Sequence, residues 1–255
     1  MPVKSSRRAL VTGAAATALA LTAGVGIGLA ADGDSAGSAA HAAPLAVPAH
    51  TTGADGTVVT YGKASAPVAV SVYEDMRCPY CASFERDLGP TLTSLADSGK
   101  VKIEFHMATF LDERLEGKGS RTALGALGAA LNESPALFKQ FHTALYAAQP
   151  REETTDTFGS SAELLKIADK VPGLRTHAFN KAVKEGTYLA WADKVGETFY
   201  DSDVTGTPAV KADGRDITVG GGRGARAPGA RAGRPGRAAR DSRAPPRGRL
   251  SRAPH

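Results

Sequence analysis

Two segments of the chain place their apolar side chains as strands do. Residues 67–73 (PVAVSVY) are short, apolar and rich in β-branched side chains, which indicates a buried strand. Residues 101–107 (VKIEFHM) alternate apolar with other positions and predict a second strand. Between them, residues 82–98 space their apolar side chains at helical intervals, and Gly89-Pro90 should kink that helix. A strand, a helix and a strand of these lengths predict a right-handed parallel βαβ unit.

The pattern becomes helical over residues 119–200, which predicts a block of helices. Ser134 and Pro135 form a typical helix start, because the serine side chain can cap free N–H groups and proline suits the first helical position. The helices predicted in this block are 120–131, 135–148, 161–170 and 175–200, the last in two pieces around Gly186.

Further segments predict additional strands of the sheet. Residues 57–62 indicate a short edge strand. Residues 205–211 and 217–219 flank a turn at 212–215 that contains an Asp-Gly pair, which predicts a β-hairpin. The sequence therefore predicts an α/β fold in which a helical segment is inserted between two sheet-forming parts.

The candidate chemistry lies at the junction between the strand over 67–73 and its helix. The only two cysteines of the chain, Cys78 and Cys81, form a Cys-Pro-Tyr-Cys motif with Pro79 and Tyr80. Pro79 falls near the first helical turn, where its missing N–H costs nothing. At the N-cap, free N–H groups and the helix dipole should lower the pKa of Cys78 below the roughly 8.5 of a free cysteine. Cys81, one turn into the helix, is expected to be buried and protonated, so that Cys78 attacks and Cys81 resolves the mixed disulfide.

Two other uses of the cysteine pair are weaker alternatives. A purely stabilising disulfide would gain little, because closing so short a loop removes little entropy from the unfolded chain. A zinc site needs two more ligands, and the sequence has neither a second cysteine pair nor histidines at ligand spacing. With no glycine-rich phosphate loop after a strand either, we expect no metal and no cofactor. The six histidines are His41, His50, His106, His142, His177 and His255.

Residues 1–42 have the pattern of an export signal. Three basic residues precede an uncharged run over 9–31, and Ala-His-Ala at 40–42 fits a signal-peptidase site. The uncharged run is long enough to span a bilayer, so an N-terminal membrane anchor is the alternative, although Ala, Gly and Thr make a poor membrane helix. Either way we expect an extracytoplasmic protein, secreted or in the cell envelope, where disulfides form and persist. Residues 43–56 are interpreted as a linker.

The basic charge of the chain is concentrated at its ends. Ten arginines and one acid, Asp241, give residues 221–255 a charge of +9, which leaves −4 for residues 1–220 out of the total of +5. The body of the chain therefore gives no electrostatic reason to expect nucleic-acid binding. The Arg-, Gly-, Ala- and Pro-rich tail over 220–255 has no apolar periodicity and is predicted to be disordered. It is either a polycationic segment or the product of a frameshift near residue 220.

The order of these features resembles the DsbA-like branch of the thioredoxin superfamily, in particular its secreted or membrane-anchored bacterial members. The resemblance covers residues 57–219 and rests on Asp-Met-Arg-Cys-Pro-Tyr-Cys at 75–81 and Gly-Thr-Pro at 206–208. It implies a thioredoxin-like fold into which the predicted helical block is inserted. It also implies that Pro208 is a cis proline beside the sulfurs, and that Thr207 offers backbone groups to a bound peptide.

Two positions depart from the family pattern. The family often carries a buried acid six residues before the first cysteine as a proton relay, whereas this chain has Val72 there. Glu74 and Asp75 lie nearby and are interpreted either as solvated loop acids or as a relay. After the hairpin the family has a helix that covers one face of the sheet. This final helix is missing here, which would leave an apolar face uncovered.

The resemblance implies a thiol–disulfide oxidoreductase whose partners are exported proteins with cysteines and a membrane redox protein. We expect disulfide formation, because a thiolate stabilised at a helix N-terminus makes the pair an oxidant. Reductase or isomerase activity is the alternative, and a monomer is expected because no dimerisation segment is visible. Two hypotheses of other classes are a non-catalytic module that holds peptides beside Pro208 and a membrane-tethered accessory protein.

Overall fold

The computed structural model describes residues 45–218 and a short strand at 225–226. The expected export signal or anchor lies outside the described residues. Within them, no helix combines the length and apolar character needed to cross a membrane. The strands are β1 (Thr51–Thr52), β2 (Val58–Gly62), β3 (Val68–Asp75), β4 (Val101–Ala108), β5 (Gly206–Thr207), β6 (Ala209–Ala212), β7 (Arg215–Ile217) and β8 (Ala225–Arg226). The helices are α1 (Pro79–Asp87), α2 (Gly89–Asp97), α3 (Phe110–Arg114), α4 (Gly119–Glu133), α5 (Pro135–Ala147), α6 (Ser161–Ala168), α7 (His177–Glu185) and α8 (Leu189–Tyr200).

Six strands form one mixed sheet in the order β1-β2-β4-β3-β6-β7. β3 and β4 are parallel, and the other neighbours in this sheet are antiparallel. The predicted strand–helix–strand unit is therefore confirmed as a parallel pair joined through α1 and α2. With its helical block, the described part of the chain has the expected α/β architecture.

Apolar side chains of β3 and β4 form the centre of the core. Val70 lies opposite Ile103 and Val72 opposite Phe105, and each of the four is at most 6% exposed. Burying a side chain of this size contributes about 1.5–3 kcal/mol. Because residues two apart on a strand point to the same face, Glu74 continues the row of Val70 and Val72 into the buried layer.

The predicted kink at Gly89-Pro90 is a complete break between α1 and α2. Pro90 stands in the first turn of α2, where its missing N–H needs no partner. Gly89 packs closely on α1, since a Cβ at this position would lie 2.8 Å from a carboxylate oxygen of Glu85. The glycine thus leaves room for the Glu85 carboxylate beside the start of α2.

The helical block follows the prediction, and its boundaries have visible causes. Ser134 caps α5, because its side chain accepts a hydrogen bond from the Leu137 N–H at 3.1 Å. Gly186 separates α7 from α8 in the left-handed conformation, with φ at 66°, which glycine adopts without steric penalty. The short helix α3 was not predicted from the sequence.

The linker interpretation of residues 43–56 was wrong for the described part of that segment. β1 pairs with β2, and the Trp191 indole N–H donates to the Gly56 carbonyl at 2.8 Å. The Ala49 N–H donates to the Asn132 side chain at 3.2 Å. This segment therefore joins the fold through its backbone groups, and a pattern of apolar side chains does not predict such contacts.

The predicted hairpin is present as β6 and β7. Its turn uses Asp213 at φ 47° and Gly214 at φ 75°, the left-handed pair that a two-residue hairpin turn requires. The second strand begins earlier than predicted, at Arg215. β8, in the tail predicted to be disordered, pairs antiparallel with β5. The rest of the tail, and with it the expected absence of a final helix, lies outside the described residues.

Candidate active site

The two cysteines lie where β3 passes into α1. Cys78 is the N-cap residue of α1 with an extended backbone, and Pro79 occupies the first turn. The Cys78 N–H donates to the Asp75 carbonyl at 2.9 Å, and the Cys81 N–H donates to the Cys78 carbonyl at 3.1 Å. The predicted placement of the motif at a strand-to-helix junction is confirmed.

The two thiols differ in acidity, as expected. The pKa of Cys78 is lowered to about 7. The largest cause is the hydrogen bond from the Cys81 side chain, while contacts to Thr207 and to the backbone of Cys81 and Tyr80 add to it against the effect of burial. Burial raises the pKa of Cys81 well above its ordinary value, and the charges of Cys78 and Glu74 act in the same direction. The expected asymmetry is therefore present, and the hydrogen bond from Cys81 acts together with backbone N–H groups at the start of α1.

The segment with the expected cis proline meets Cys78 across the fold. The Thr207–Pro208 peptide bond is cis, as the resemblance implied. The Cys78 Sγ lies 3.5 Å from the Thr207 carbonyl oxygen. Thr207 is completely buried, and its side-chain oxygen has no hydrogen-bond partner among the described residues. One side of the Gly206–Thr207 strand is already paired with β8.

Both sulfurs are completely covered in this conformation. Cys78 and Cys81 are each 0% exposed, whereas Tyr80 of the same motif is 43% exposed. The sequence analysis missed Gln149, whose side-chain amide donates to the carbonyl of Met76 at 2.9 Å and to that of Cys78 at 3.1 Å. This glutamine follows the end of α5, and nothing in the local sequence marks it. In this conformation the Cys78 sulfur is not accessible to a partner thiol.

Beside α1 runs a groove of about 1010 Å³. Its walls come from α1, α2 and the end of α5, and it reaches Pro79 next to the first cysteine. The groove is therefore continuous with the motif and is wide enough for side chains of a second polypeptide. Residues that line it near the motif are Pro79, Ala82, Ser83, Tyr146, Gln149 and Pro150.

The interpretation of Glu74 and Asp75 as solvated loop acids was wrong. Both belong to β3 and are 0% exposed. Burial raises the pKa of Asp75 to about 7. This carboxylate accepts hydrogen bonds from the Ser120 hydroxyl and from the backbone N–H groups of Arg77 and Leu111. Asp75 thus ties the loop before Cys78 to α3 and α4.

Glu74 belongs to a buried charged cluster that the sequence analysis did not find. Its carboxylate lies 2.9 Å from the Nε2 of His142, and the cluster continues to Glu85 and Lys139. Burial raises the pKa of Glu74 well above its ordinary value and lowers that of His142 well below it. These residues lie on β3, α1 and α5, far apart in sequence, so no motif spacing reveals them.

A set of ligand atoms for a metal ion also exists in this cluster. Glu74, Glu85 and His142 bring one ligand atom each to within 4.8 Å of one another. However, the Lys139 ammonium already lies 3.0 Å from the Glu85 carboxylate and supplies a positive charge there. We therefore treat the cluster as a network of protein groups.

Comparison with known proteins places this geometry in a family. A family model described as Thioredoxin matches residues 54–220. Disulfide bond formation protein D of Bacillus subtilis is 29% identical over 151 residues, which cover 58% of this chain and 64% of that protein. The chain thus spans just under two thirds of that relative.

Solved structures with similar folds agree with this result. DsbA from Mycobacterium tuberculosis is 28% identical with a TM-score of 0.56, over 65% of this chain and 86% of that one. A disulfide bond oxidoreductase (DsbG) from the same organism is 27% identical with a TM-score of 0.56, over 64% and 81%. The expected resemblance and the thioredoxin-like fold are confirmed, and these relatives are themselves named as disulfide bond proteins. The chain belongs to the thioredoxin family.

Proposed function

We propose that this protein is an extracytoplasmic thiol–disulfide oxidoreductase that forms disulfides in exported proteins through Cys78 and Cys81. The observation that carries the proposal is the environment of the Cys78 sulfur. It lies at the start of α1 with a pKa lowered to about 7, 3.5 Å from the carbonyl oxygen of Thr207. A thiol with this pKa carries a large thiolate fraction at neutral pH, and the thiolate is the nucleophile and leaving group of disulfide exchange.

The proposed reaction begins with the Cys78–Cys81 disulfide. A substrate thiolate attacks the Cys78 sulfur, the Cys78–Cys81 bond breaks, and Cys81 leaves as a thiolate that takes up a proton. A second substrate thiolate then attacks the first substrate sulfur and releases the Cys78 thiolate. The substrate gains one disulfide and loses two electrons, which the enzyme now holds as a Cys78 thiolate and a Cys81 thiol.

The acidity of Cys78 bears on the direction of the reaction. A thiolate stabilised in the reduced protein makes the disulfide a stronger oxidant. The pKa of about 7 resembles the value of about 7 for thioredoxin more than the value of about 3.5 for DsbA. We propose a disulfide-forming enzyme whose reduction potential lies between the value of about −120 mV for DsbA and the value of about −270 mV for thioredoxin.

Substrate recognition is proposed to use the surface around the motif. Thr207 and Pro208 lie beside the Cys78 sulfur, and Pro79 lies at the head of the groove. Exposed Tyr80 offers an aromatic surface next to the reactive pair. A peptide that enters here must displace the segments that cover Cys78.

Location and partners follow from the sequence pattern and the proposed chemistry. The export-signal pattern of residues 1–42, cleaved or retained as an anchor, supports action outside the cytoplasm. Turnover needs an acceptor for the two electrons that the reduced pair holds, and we propose a membrane redox protein for that role. We propose that the enzyme acts as a monomer.

The experiment is a trapping assay with the full chain and a reduced peptide that contains two cysteines. Cys81→Ser should accumulate a mixed disulfide between Cys78 and the peptide, because the resolving thiol is absent. Cys78→Ser, the matched control, should give none. If Cys78→Ser binds the peptide as tightly as the wild type and neither protein oxidises it, the chain is a peptide-binding module and the proposal is wrong.

A further inference from the structure

A network of four buried ionisable side chains connects the active-site helix α1 to the grooves beside α5. Glu74 Oε2 lies 2.9 Å from His142 Nε2, and His142 Nδ1 lies 3.6 Å from Glu85 Oε2. The same Glu85 oxygen accepts a hydrogen bond from Lys139 Nζ at 3.0 Å. Lys139 also donates to the Thr143 hydroxyl at 3.1 Å. The imidazole therefore stands between two carboxylates.

One end of this network lies beside the resolving cysteine, Cys81. Glu85 follows Cys81 by four residues on α1, and both are buried, so they share one face of the helix. Glu74 and the cysteines also interact electrostatically: the charge of Glu74 raises the pKa of Cys81, and the charge of Cys78 raises that of Glu74. The other end reaches solvent, since Glu85 lines the groove beside α1 and Lys139 lines a second groove between α2 and α5.

Two atoms of this network make no hydrogen bond to the described residues. Glu74 Oε1 and His142 Nδ1 are buried, and the Glu85 carboxylate oxygen near His142 Nδ1 lies beyond hydrogen-bond distance, at 3.6 Å. Leaving such groups unsatisfied destabilises the folded protein, and a network with a purely structural role gains nothing from it. In a proton pathway, however, each atom that receives a proton must be free at some stage.

We propose that Cys81 gains and loses its proton through Glu74 and His142, and that Glu85, which lines the groove beside α1, exchanges that proton with solvent. This inference rests on the thiol–disulfide exchange proposed above. It assigns His142 a specific task, because an imidazole can accept a proton at one nitrogen while it releases one from the other. Val72 occupies the position six residues before Cys78, where the family often has a buried acid. In this protein the base that takes the Cys81 proton therefore comes from other positions.

The step balances in both directions. When the reduced enzyme is reoxidised, the Cys81 thiol gives its proton to the Glu74 carboxylate, and the resulting thiolate attacks the Cys78 sulfur of the mixed disulfide. The bond between Cys78 and the oxidant breaks, and the oxidant's sulfur leaves as a thiolate. Glu74 then passes a proton to His142 Nε2, and Nδ1 releases one toward Glu85. When the Cys78–Cys81 disulfide is reduced, the leaving Cys81 thiolate takes up a proton by the reverse route.

Burial disfavours the charged forms of both Glu74 and His142. Burial raises the pKa of Glu74 and lowers that of His142, so neither group holds a full charge at low cost. The Tyr146 ring packs edge-on against His142 with centroids 4.9 Å apart, and the Phe105 ring lies 4.8 Å from it. The titratable groups that face the cluster are Cys78 at the start of α1, Cys81 and Glu85 from α1, Glu74 from β3, and Lys139 and Tyr146 from α5.

The test follows the two steps of the reaction of the reduced full chain with oxidised glutathione. In the first step Cys78 forms a mixed disulfide with glutathione, and Cys81→Ala isolates this step. In the second step Cys81 loses its proton and displaces glutathione from Cys78. Acid quenching and thiol labelling separate the two steps between pH 5.5 and 9. If the first step does not occur in the wild type, the proposed function itself fails, so the two failures are distinguishable.

The wild type should show a second step whose rate levels off above neutral pH, because an internal base removes the proton. His142→Gln keeps a polar group near Glu74 but cannot carry a proton. This variant and Glu74→Gln should slow the second step at least about tenfold at pH 7 and make its rate rise tenfold per pH unit. In the Cys81→Ala background neither change should alter the first step more than about twofold. His106→Gln, a histidine of β4 that stacks on Tyr73, is the matched control and should behave as the wild type.

Two results overturn the proposal. The first is a wild-type rate of the second step that itself rises tenfold per pH unit up to pH 9, because hydroxide in solution would then remove the proton. This measurement needs no variant, so it remains valid even if a variant fails to fold. The second is a folded His142→Gln variant with an unchanged rate and pH profile. Either result leaves the cluster as a structural ion network only.

Discussion

The Cys78 sulfur lies 3.5 Å from the carbonyl oxygen of Thr207, a residue 129 positions later in the chain. A carbonyl oxygen accepts a hydrogen bond from a thiol but offers none to a thiolate. Ionisation of Cys78 therefore changes this contact, and the thiolate depends on donors elsewhere. The side chains of Cys81 and Thr207 and the backbone N–H groups of Tyr80 and Cys81 lower the pKa of Cys78.

The first prediction concerns the source of that lowered pKa. Cys81→Ala removes the largest contribution, so the pKa of Cys78 should rise from about 7 toward the roughly 8.5 of a free cysteine. The pH dependence of alkylation of Cys78 measures this shift. A pKa that stays near 7 in Cys81→Ala would show that the end of α1 alone stabilises the thiolate.

The second prediction concerns the pH dependence of folding stability. The pKa of Asp75 is raised in the folded protein from 3.8 to about 7, so the folded state binds a proton that the unfolded state has lost. The stabilisation is complete below about pH 4 and is lost as the pH rises to about 7. Asp75→Asn should flatten the fall of the unfolding free energy between pH 4 and 7 by up to about 1.4 kcal/mol per pH unit.

Denaturant unfolding of wild type and Asp75→Asn at several pH values measures the effect. The comparison is between slopes, because the variant also disturbs the hydrogen bonds from Ser120, Arg77 and Leu111 and starts from a lower stability. Parallel pH profiles for the two proteins would contradict the prediction.

The sequence showed the active-site pair but not the groups beneath it. The junction of a β-branched strand with a helical pattern placed Cys78 and Cys81 correctly, because local spacing decides that geometry. The local pattern favours solvated loop acids at Glu74 and Asp75, because a pair of charged residues at the end of a strand is usually exposed to solvent. Instead, α5 covers Glu74 with His142, 68 residues later in the chain, and α3 and α4 cover the Asp75 carboxylate.

Contacts between residues far apart in the sequence also explain why other site residues were not predicted. Gln149 and Lys139 acquire their roles from helices that pack over α1, which no window of the sequence contains. Gly206-Thr207-Pro208 could be assigned only through the family resemblance. Residues 45–56 were missed because their contacts are backbone hydrogen bonds rather than apolar packing.

The third prediction concerns the buried ion pair of Glu85 and Lys139, whose side chains are 5% and 6% exposed. Lys139→Met leaves a carboxylate buried without its partner and should cost about 3–5 kcal/mol of unfolding free energy. Glu85→Gln combined with Lys139→Met removes both charges and should recover a large part of that loss. A double-mutant cycle by denaturant unfolding measures the coupling, and strictly additive effects would contradict the pairing.

The central claim is that Cys78 and Cys81 form a reversible redox pair that oxidises other thiols. The most direct test is the equilibrium of this pair in the full chain against mixtures of reduced and oxidised glutathione, read by thiol labelling. The account predicts a single two-electron transition with a potential between about −120 mV and about −270 mV. A pair that stays oxidised at every accessible glutathione ratio, with a potential below about −300 mV, would be a structural disulfide and would contradict the account.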